Sequence, residues 1–332
     1  MREIGSEFWD IPTCSFGNRL FPESVQWFLS GRIALRSILK DVKRCRTAAL
    51  PMWCCDSMVK PFSDAGIEVR FYPVYPGPDG QLKQDITFDC DILFVMDYFG
   101  YTSSSADFSK YRGTVIRDVT HSLFSSSCSD ADYYFGSLRK WCGFRTGGYA
   151  WTKDGHPLPE GTADDCGYTA LRRKAMESKK QYLDGNGNKG YLEVFSKAEE
   201  LLEDIGIVQA DKQDVQRVPN LDADFIRATR RRNAEILRKA FPDWLLFPEM
   251  RETDCPMFVP VLVPDGKRDG LRRHLTANEI YCPVHWPVSE YHRLDSRSKE
   301  LYKSELSLVC DQRYTPEDMN RIVSVINDFM KE

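Results

Sequence analysis

The stretch IRDVTHSLFSSSCSDADYYFGSLRKWCGFRTGGY, residues 116–149, decides how the chain is read. An apolar run leads into Asp118, and His121 stands three residues on. Lys140 follows Asp118 by 22 residues, inside Ser137-Leu138-Arg139-Lys140, and Gly147 and Gly148 close the segment. A lysine amine can condense with an aldehyde, and a carboxylate can keep a pyridine nitrogen protonated so that the ring acts as an electron sink. These are the parts needed to hold pyridoxal 5′-phosphate (PLP). Each residue alone has a plainer reading: a surface lysine, a turn aspartate, a structural histidine. Specificity lies in the order Asp118, His121, Ser137, Lys140.

Lys140 is flanked by Trp141 and Cys142. Apolar surroundings would help its amine lose a proton, as a nucleophile must. Its expected role is to bond the cofactor aldehyde, then to move a proton at the substrate α-carbon. Asp118 is expected to pair with the pyridine nitrogen, and His121 to hold that carboxylate or the ring in place. The phosphate needs donors. Ser30-Gly31-Arg32 opens a helix, where free N–H groups and the dipole favour an anion and Gly31 lets the backbone approach. Ser137 and Arg145 are further phosphate candidates. Trp53, at a strand end, either stacks on the cofactor ring or packs in the core. Toward the C-terminus, His285 and Arg313 are candidates for binding substrate. The planar fork of Arg313 suits a carboxylate or phosphate, and a salt bridge is the equally simple alternative. The five histidines show no metal-ligand spacing, so no metal site is expected.

Short apolar runs alternate with helical segments from TAALPMW through GGYAWTK, which predicts a mostly parallel α/β sheet flanked by helices. Ligands in such sheets gather at the carboxyl ends of strands, where Asp118 and Tyr98-Phe99-Gly100 would lie. After Gly161 helices dominate, and the tail reads as a small α+β domain. The expected division is a large domain over 1–240, with an N-terminal arm over about 1–22, and a small C-terminal domain over 241–332. Low-complexity patches are short: SSSCS at 125–129 and DGNGNKG at 184–190.

The chain has 332 residues and a net charge of −4, which argues against a general attraction to nucleic acid or an anionic membrane. Arg230-Arg231-Arg232 reads as a solvated helix face. No apolar run is long enough to span a bilayer. The start lacks the basic and apolar regions of an export signal, and the 11 cysteines are odd in number and scattered. Reduced thiols in a cytoplasm are the expectation.

The order SGRIAL, LPMWCC, DAGIEVRFYPV, DYFG, IRDVTHSL and SLRKW…GG resembles the DegT-type (DegT/DnrJ/StrS) sugar aminotransferases, PLP enzymes of the aspartate aminotransferase fold, fold type I. The tail is similar in RRRNAEIL and ELSLVCDQRYTPEDMNRIVSVI, so the likeness spans nearly the whole chain. It implies that Lys140 holds PLP, Asp118 binds the pyridine nitrogen, and Ser30 to Arg32 with Ser137 serve the phosphate. It also implies a homodimer, with glutamate as amino donor and a nucleotide-linked keto sugar as acceptor. The chain departs from the family where Arg32 replaces a hydroxyl residue and where Thr146 replaces the acidic residue before Gly147-Gly148. Two rival readings are a PLP aminotransferase or lyase acting on a small amino acid, and a non-catalytic PLP-fold regulator.

Overall fold

The computed structural model describes residues 3–77, 81–86, 89–104, 106–126 and 130–331. Ser127, Cys128 and Ser129 of the serine-rich patch lie outside these. In chain order the strands are β1 (Ile4–Gly5), β2 (Gln26–Phe28), β3 (Thr47–Pro51), β4 (Glu68–Tyr72), β5 (Val74–Pro76), β6 (Leu82–Gln84), β7 (Ile92–Met96), β8 (Thr114–Asp118), β9 (Tyr133–Ser137), β10 (Gly148–Thr152), β11 (Val259–Leu262), β12 (Ile280–Tyr281) and β13 (Glu305–Leu308). The helices are α1 (Gly31–Asp41), α2 (Asp56–Asp64), α3 (Tyr168–Leu183), α4 (Tyr191–Leu201), α5 (Lys212–Arg217), α6 (Ala223–Ala240), α7 (Arg268–Ala277), α8 (Ser298–Ser304) and α9 (Pro316–Lys331). Contacts divide the chain into two compact units, one of Met1–Ser6, Cys45–Ala131 and Ala223–Glu332, the other of Glu7–Arg44 and Asp132–Asp222.

The first unit contains the parallel strands that the sequence predicts. β4, β3, β7 and β8 pair in that order, all parallel, with Ala48 opposite Ile92 and Met96 opposite Asp118. β7, the run Ile-Leu-Phe-Val-Met, is buried at every position. That is why it reads as an unbroken apolar stretch rather than an alternating one. Helix α2 supplies the crossover from β3 to β4 that parallel pairing requires. The C-terminal elements form an α+β region around their own core. Ala234 and Leu237 of α6, Leu271 and Leu275 of α7, and Met319, Ile322 and Ile326 of α9 pack with Val259, Val261, Leu306 and Leu308 of the antiparallel pair β11–β13. α9 starts with a side-chain cap. The Asp318 N–H donates to Thr315 Oγ1 at 3.4 Å, and the Thr315 N–H donates to the Asp318 carboxylate at 3.0 Å. This reciprocal cap satisfies two donors at the helix start. The border expected at residue 240 falls inside this unit, and the core that joins α6 to β11 spans it.

In the second unit β9 and β10 run antiparallel, with Ser137 opposite Gly148, and β2 pairs antiparallel with β10. The sequence reading left the direction of these strands open within a mostly parallel sheet. The segment between β9 and β10 holds only a short 3-10 turn, Leu138–Lys140, and no crossover helix, so the antiparallel arrangement is the one it can close. Helices α3 and α4 form a hairpin around Ala175, Tyr191 and Phe195.

Candidate functional site

In the first unit, chemistry gathers where β7 and β8 end. Asp97 and Arg117 form a buried ion pair: Arg117 Nε donates to Asp97 Oδ1 at 3.0 Å and Nη2 at 2.6 Å. The Ser122 hydroxyl donates to the other carboxylate oxygen of Asp97. Next to this pair, Asp118 is buried, and its Oδ1 accepts the Thr120 N–H at 2.8 Å. That bond starts the 3-10 turn Thr120–Ser122, which carries His121. The Phe99 N–H donates to His121 Nδ1 at 3.3 Å. A neutral ring that accepts at Nδ1 holds its proton on Nε2, so His121 presents a donor there. Phe99 adopts φ +54°, a left-handed conformation uncommon for a bulky side chain. Such backbones are kept where the surroundings over-determine them, often at functional sites.

Aromatic rings crowd this strand end. Trp53 is fully buried and stacks on Tyr98 with centroids 4.9 Å apart, and its Nε1 donates to the His285 carbonyl at 2.6 Å. His121 stacks on Trp286 at 5.8 Å, and His285 lies 6.1 Å from His121. Trp53 thus has the core packing that the sequence offered as one of its two readings. The negative charge of Asp118 is felt here. Burial, then neighbouring charges including that carboxylate, push the Tyr98 hydroxyl and the Cys54 thiol well above their ordinary values.

Behind His285 lies an acid that the sequence reading passed over. Glu305 is fully buried; one carboxyl oxygen accepts the His285 N–H at 2.7 Å, and the other lies 2.6 Å from the Ser307 hydroxyl. Ser307 Oγ in turn lies 2.8 Å from His285 Nδ1. Burial pushes the Glu305 carboxyl up to about 8, against the opposing pull of Ser307, the His285 N–H and Arg268. A raised carboxyl contributes stability that is fully present below the ordinary carboxyl range and is lost as pH rises through about 8. Unfolding free energy should therefore fall over this window by an amount on the order of 5 kcal/mol at most. Glu305→Gln should flatten that slope in denaturant titrations run at a series of pH values. A variant with the same slope as the parent would mean that Glu305 is not the group responsible.

The second unit carries the other candidates. Ser30 is the N-cap of α1, its Oγ accepting the Ile33 N–H at 3.4 Å. The start of this helix presses against the strands. A side chain on Gly148 would begin 2.1 Å from the Ser30 carbonyl, and one on Gly31 would begin 3.2 Å from the Gly136 carbonyl and 3.3 Å from Ser137 Cβ. Glycine is required at Gly148 by this approach, and Gly147 before it sits at φ +115°. Ser30, Gly31 and Ser137 are therefore brought together.

Of the remaining candidates, Lys140 is exposed and the three arginines are held by carboxylates. Lys140 ends the 3-10 turn and is exposed, whereas Trp141 and Cys142 are buried. The apolar surroundings expected for Lys140 belong to its neighbours, because successive residues of a tight turn face different ways. Arg32 pairs with Glu203 at 2.5 Å. The Arg145 fork is held by Asp214 at 3.0–3.1 Å and by Asp211 at 2.9 Å. In the first unit, Arg313 closes on Asp311 through two bonds of 2.7 and 2.8 Å and also reaches the Ser6 carbonyl. The salt bridge thus describes Arg313 as placed. Beside Lys140 lies a group that the sequence did not single out, Glu199. Burial alone would raise its carboxyl, but the charges of Arg139, Arg172 and Lys140 outweigh it and hold Glu199 below the usual range. Among the described residues no cluster of His, Cys, Asp or Glu could hold a metal ion, and no disulfide joins the described cysteines. No described helix is long and apolar enough to cross a membrane.

The architecture is that of fold type I PLP-dependent transferases: a sheet with parallel strands flanked by helices, and a smaller C-terminal α+β region. Three solved structures that share it are aminotransferases or carry a cofactor of that chemistry. A DegT DnrJ EryC1 StrS aminotransferase from Brucella abortus superposes with a TM-score of 0.60 at 16% identity, covering 92% of this chain and 85% of that one. Helicobacter pylori PseC, an aminotransferase involved in the biosynthesis of pseudoaminic acid, gives 0.64 at 14% identity, with 92% and 86% covered. Bacillus subtilis NtdA with bound cofactor PMP gives 0.60 at 12% identity, with 93% and 73% covered. Likeness at these identities is likeness of fold. No family model matches the chain, and no curated protein matches it.

Proposed function

We propose that the chain is a PLP-dependent aminotransferase of the DegT type that moves the amino group of glutamate onto a keto sugar carried by a nucleotide. The observation that carries this reading is Asp118, a buried carboxylate at the end of a parallel strand in a fold shared with aminotransferases. The residues fit the cofactor chemically. The start of α1, with Ser30 as its cap and Gly31 close against Gly136 and Ser137, offers backbone N–H groups that would suit a phosphate. When bound, PLP supplies an aldehyde and a conjugated ring that takes up the electron pair of the substrate α-carbon. The chain's residues have distinct tasks. Asp118 would pair with the ring nitrogen, and His121 would donate from Nε2. Ser30, Gly31 and Ser137 would bind the phosphate, and Lys140 would hold the cofactor through its amine and serve as the proton carrier at the α-carbon. His285 serves the substrate. Arg32, Arg145 and Arg313 are left out of the proposed site, because carboxylates already hold them. A cytoplasmic homodimer completes the reading.

Adding PLP to the purified protein should produce a visible absorbance band. Glutamate should bleach it, and a nucleotide-linked keto sugar should restore it. A protein whose spectrum ignores PLP sinks the proposal. One that cycles with small keto acids and never with sugar acceptors loses the acceptor assignment.

A further inference from the structure

Glu305, Ser307 and His285 form an unbroken hydrogen-bonded line of 2.6 and 2.8 Å. Glu305 and Ser307 are fully buried, whereas His285 is half-buried, so a proton can enter or leave the line only at the histidine. We propose that these three residues form a proton relay that takes the proton an incoming substrate ammonium must shed, entering at His285 Nε2 and coming to rest on Glu305. The choice of ammonium as substrate group rests on the aminotransferase reading, since an amino donor must lose a proton before its nitrogen can attack.

The bonding allows two states. With Glu305 ionised, its oxygens only accept, so the Ser307 hydroxyl donates to Oε1. Ser307 Oγ must then accept from His285 Nδ1–H, which leaves Nε2 as the basic nitrogen. When Nε2 gains a proton, the Nδ1 proton passes to Ser307 and the Ser307 proton passes to Glu305. One N–H bond forms at Nε2, one O–H bond forms at Glu305, and every bond in the line reverses direction. The ring is neutral before and after. That matters here because His285 is surrounded by Phe99, Phe258 and Trp286 at centroid distances of 5.0–5.3 Å, where an imidazolium would be poorly solvated. Other ionisable groups facing the line, among the described residues, include Arg268 from α7, which donates to the Glu305 carbonyl at 3.2 Å, the buried Cys282 thiol, and His121 at 6.1 Å. Glu305 titrates near 8, which poises the relay close to neutral pH.

The test needs no cofactor. In 15N-labelled protein, with His285 assigned by its loss in His285→Gln, the ring should pass from the Nε2–H to the Nδ1–H tautomer as pH rises through the Glu305 titration. Ser307→Ala and Glu305→Gln should each make the tautomer indifferent to pH, and Ser307→Thr should restore the switch. A wild-type ring that keeps one tautomer throughout, that titrates as an imidazolium, or that still switches in Ser307→Ala overturns the relay. In PLP-loaded protein, kcat/KM for the amino donor should fall about 10²-fold in Ser307→Ala and recover in Ser307→Thr. A protein that switches tautomer yet takes up no PLP upholds the relay and overturns only its substrate.

Discussion

Lys140→Ala is expected to remove the visible PLP band and to abolish transamination while leaving the fold intact. Two roles are lost at once, the covalent hold on the cofactor and the proton carrier at the α-carbon. Loss of acid–base catalysis alone accounts for about 10²–10⁴-fold in rate. Lys140 is exposed, and its truncation opens no cavity. A surface change of this kind usually shifts stability by no more than about 0.5 kcal/mol, so denaturation midpoints should coincide with the parent. Absorbance after PLP addition and single-turnover bleaching by glutamate check the prediction together. A variant that keeps the band and the bleaching would show that another amine does the work. A variant that loses both and also unfolds early would show that Lys140 acts through structure.

The parts of the molecule legible in the sequence are those with local causes. The buried run at β7, the amphipathic α6 and α9, and the capped starts of α1 and α9 all follow from spacing and from residues adjacent in the chain. Asp118 and His121 sit close together for the same reason, because a turn begun by the Asp118 side chain links them. Elements of low periodicity were not legible. α5, Lys-Gln-Asp-Val-Gln-Arg, has one apolar residue, and β2 spans three residues, too few to show alternation. Long-range pairing was equally hidden. Glu305 reads as an ordinary acid in SELSL, and only the fold sets it against the N–H of His285, twenty residues earlier in the chain. Arg145 and Arg313 looked available because their carboxylate partners, sixty-odd residues away in one case and two residues away in the other, carry no signal that marks them as partners. Exposure of Lys140 is a further lesson: apolar neighbours in sequence do not make an apolar environment where the chain turns tightly.

Asp97→Ala should be the most destabilising single change at the strand ends, by about 3–5 kcal/mol, because it strips a buried guanidinium of its carboxylate. Arg117 is 2% exposed and Asp97 5%, so water cannot replace the lost bonds without entering the core. Three donors lose a bond to the Asp97 carboxylate: Arg117 Nε, Arg117 Nη2 and the Ser122 hydroxyl, which retains only a longer contact to the Val119 carbonyl at 3.5 Å. A domain stable by only about 5–15 kcal/mol would lose a large fraction of its margin. Asp97→Asn keeps an acceptor and loses the charge, so it should fall between parent and alanine. The double change Asp97→Leu with Arg117→Met removes both charges and should recover much of the loss, since a buried pair often contributes little net stability over apolar residues of similar volume. Urea midpoints at a fixed slope measure all three. Function supplies a second readout. The Asp97 N–H donates to the Asp118 carbonyl at 3.1 Å, and Met96 stands opposite Asp118 in the register, so the pair anchors the residue proposed to meet the pyridine nitrogen. The Asp97→Asn protein, if folded, should therefore bind PLP more weakly than the parent at temperatures where both are fully native. If Asp97→Ala loses less than about 1 kcal/mol, the pair is solvated in solution and its anchoring role falls with it.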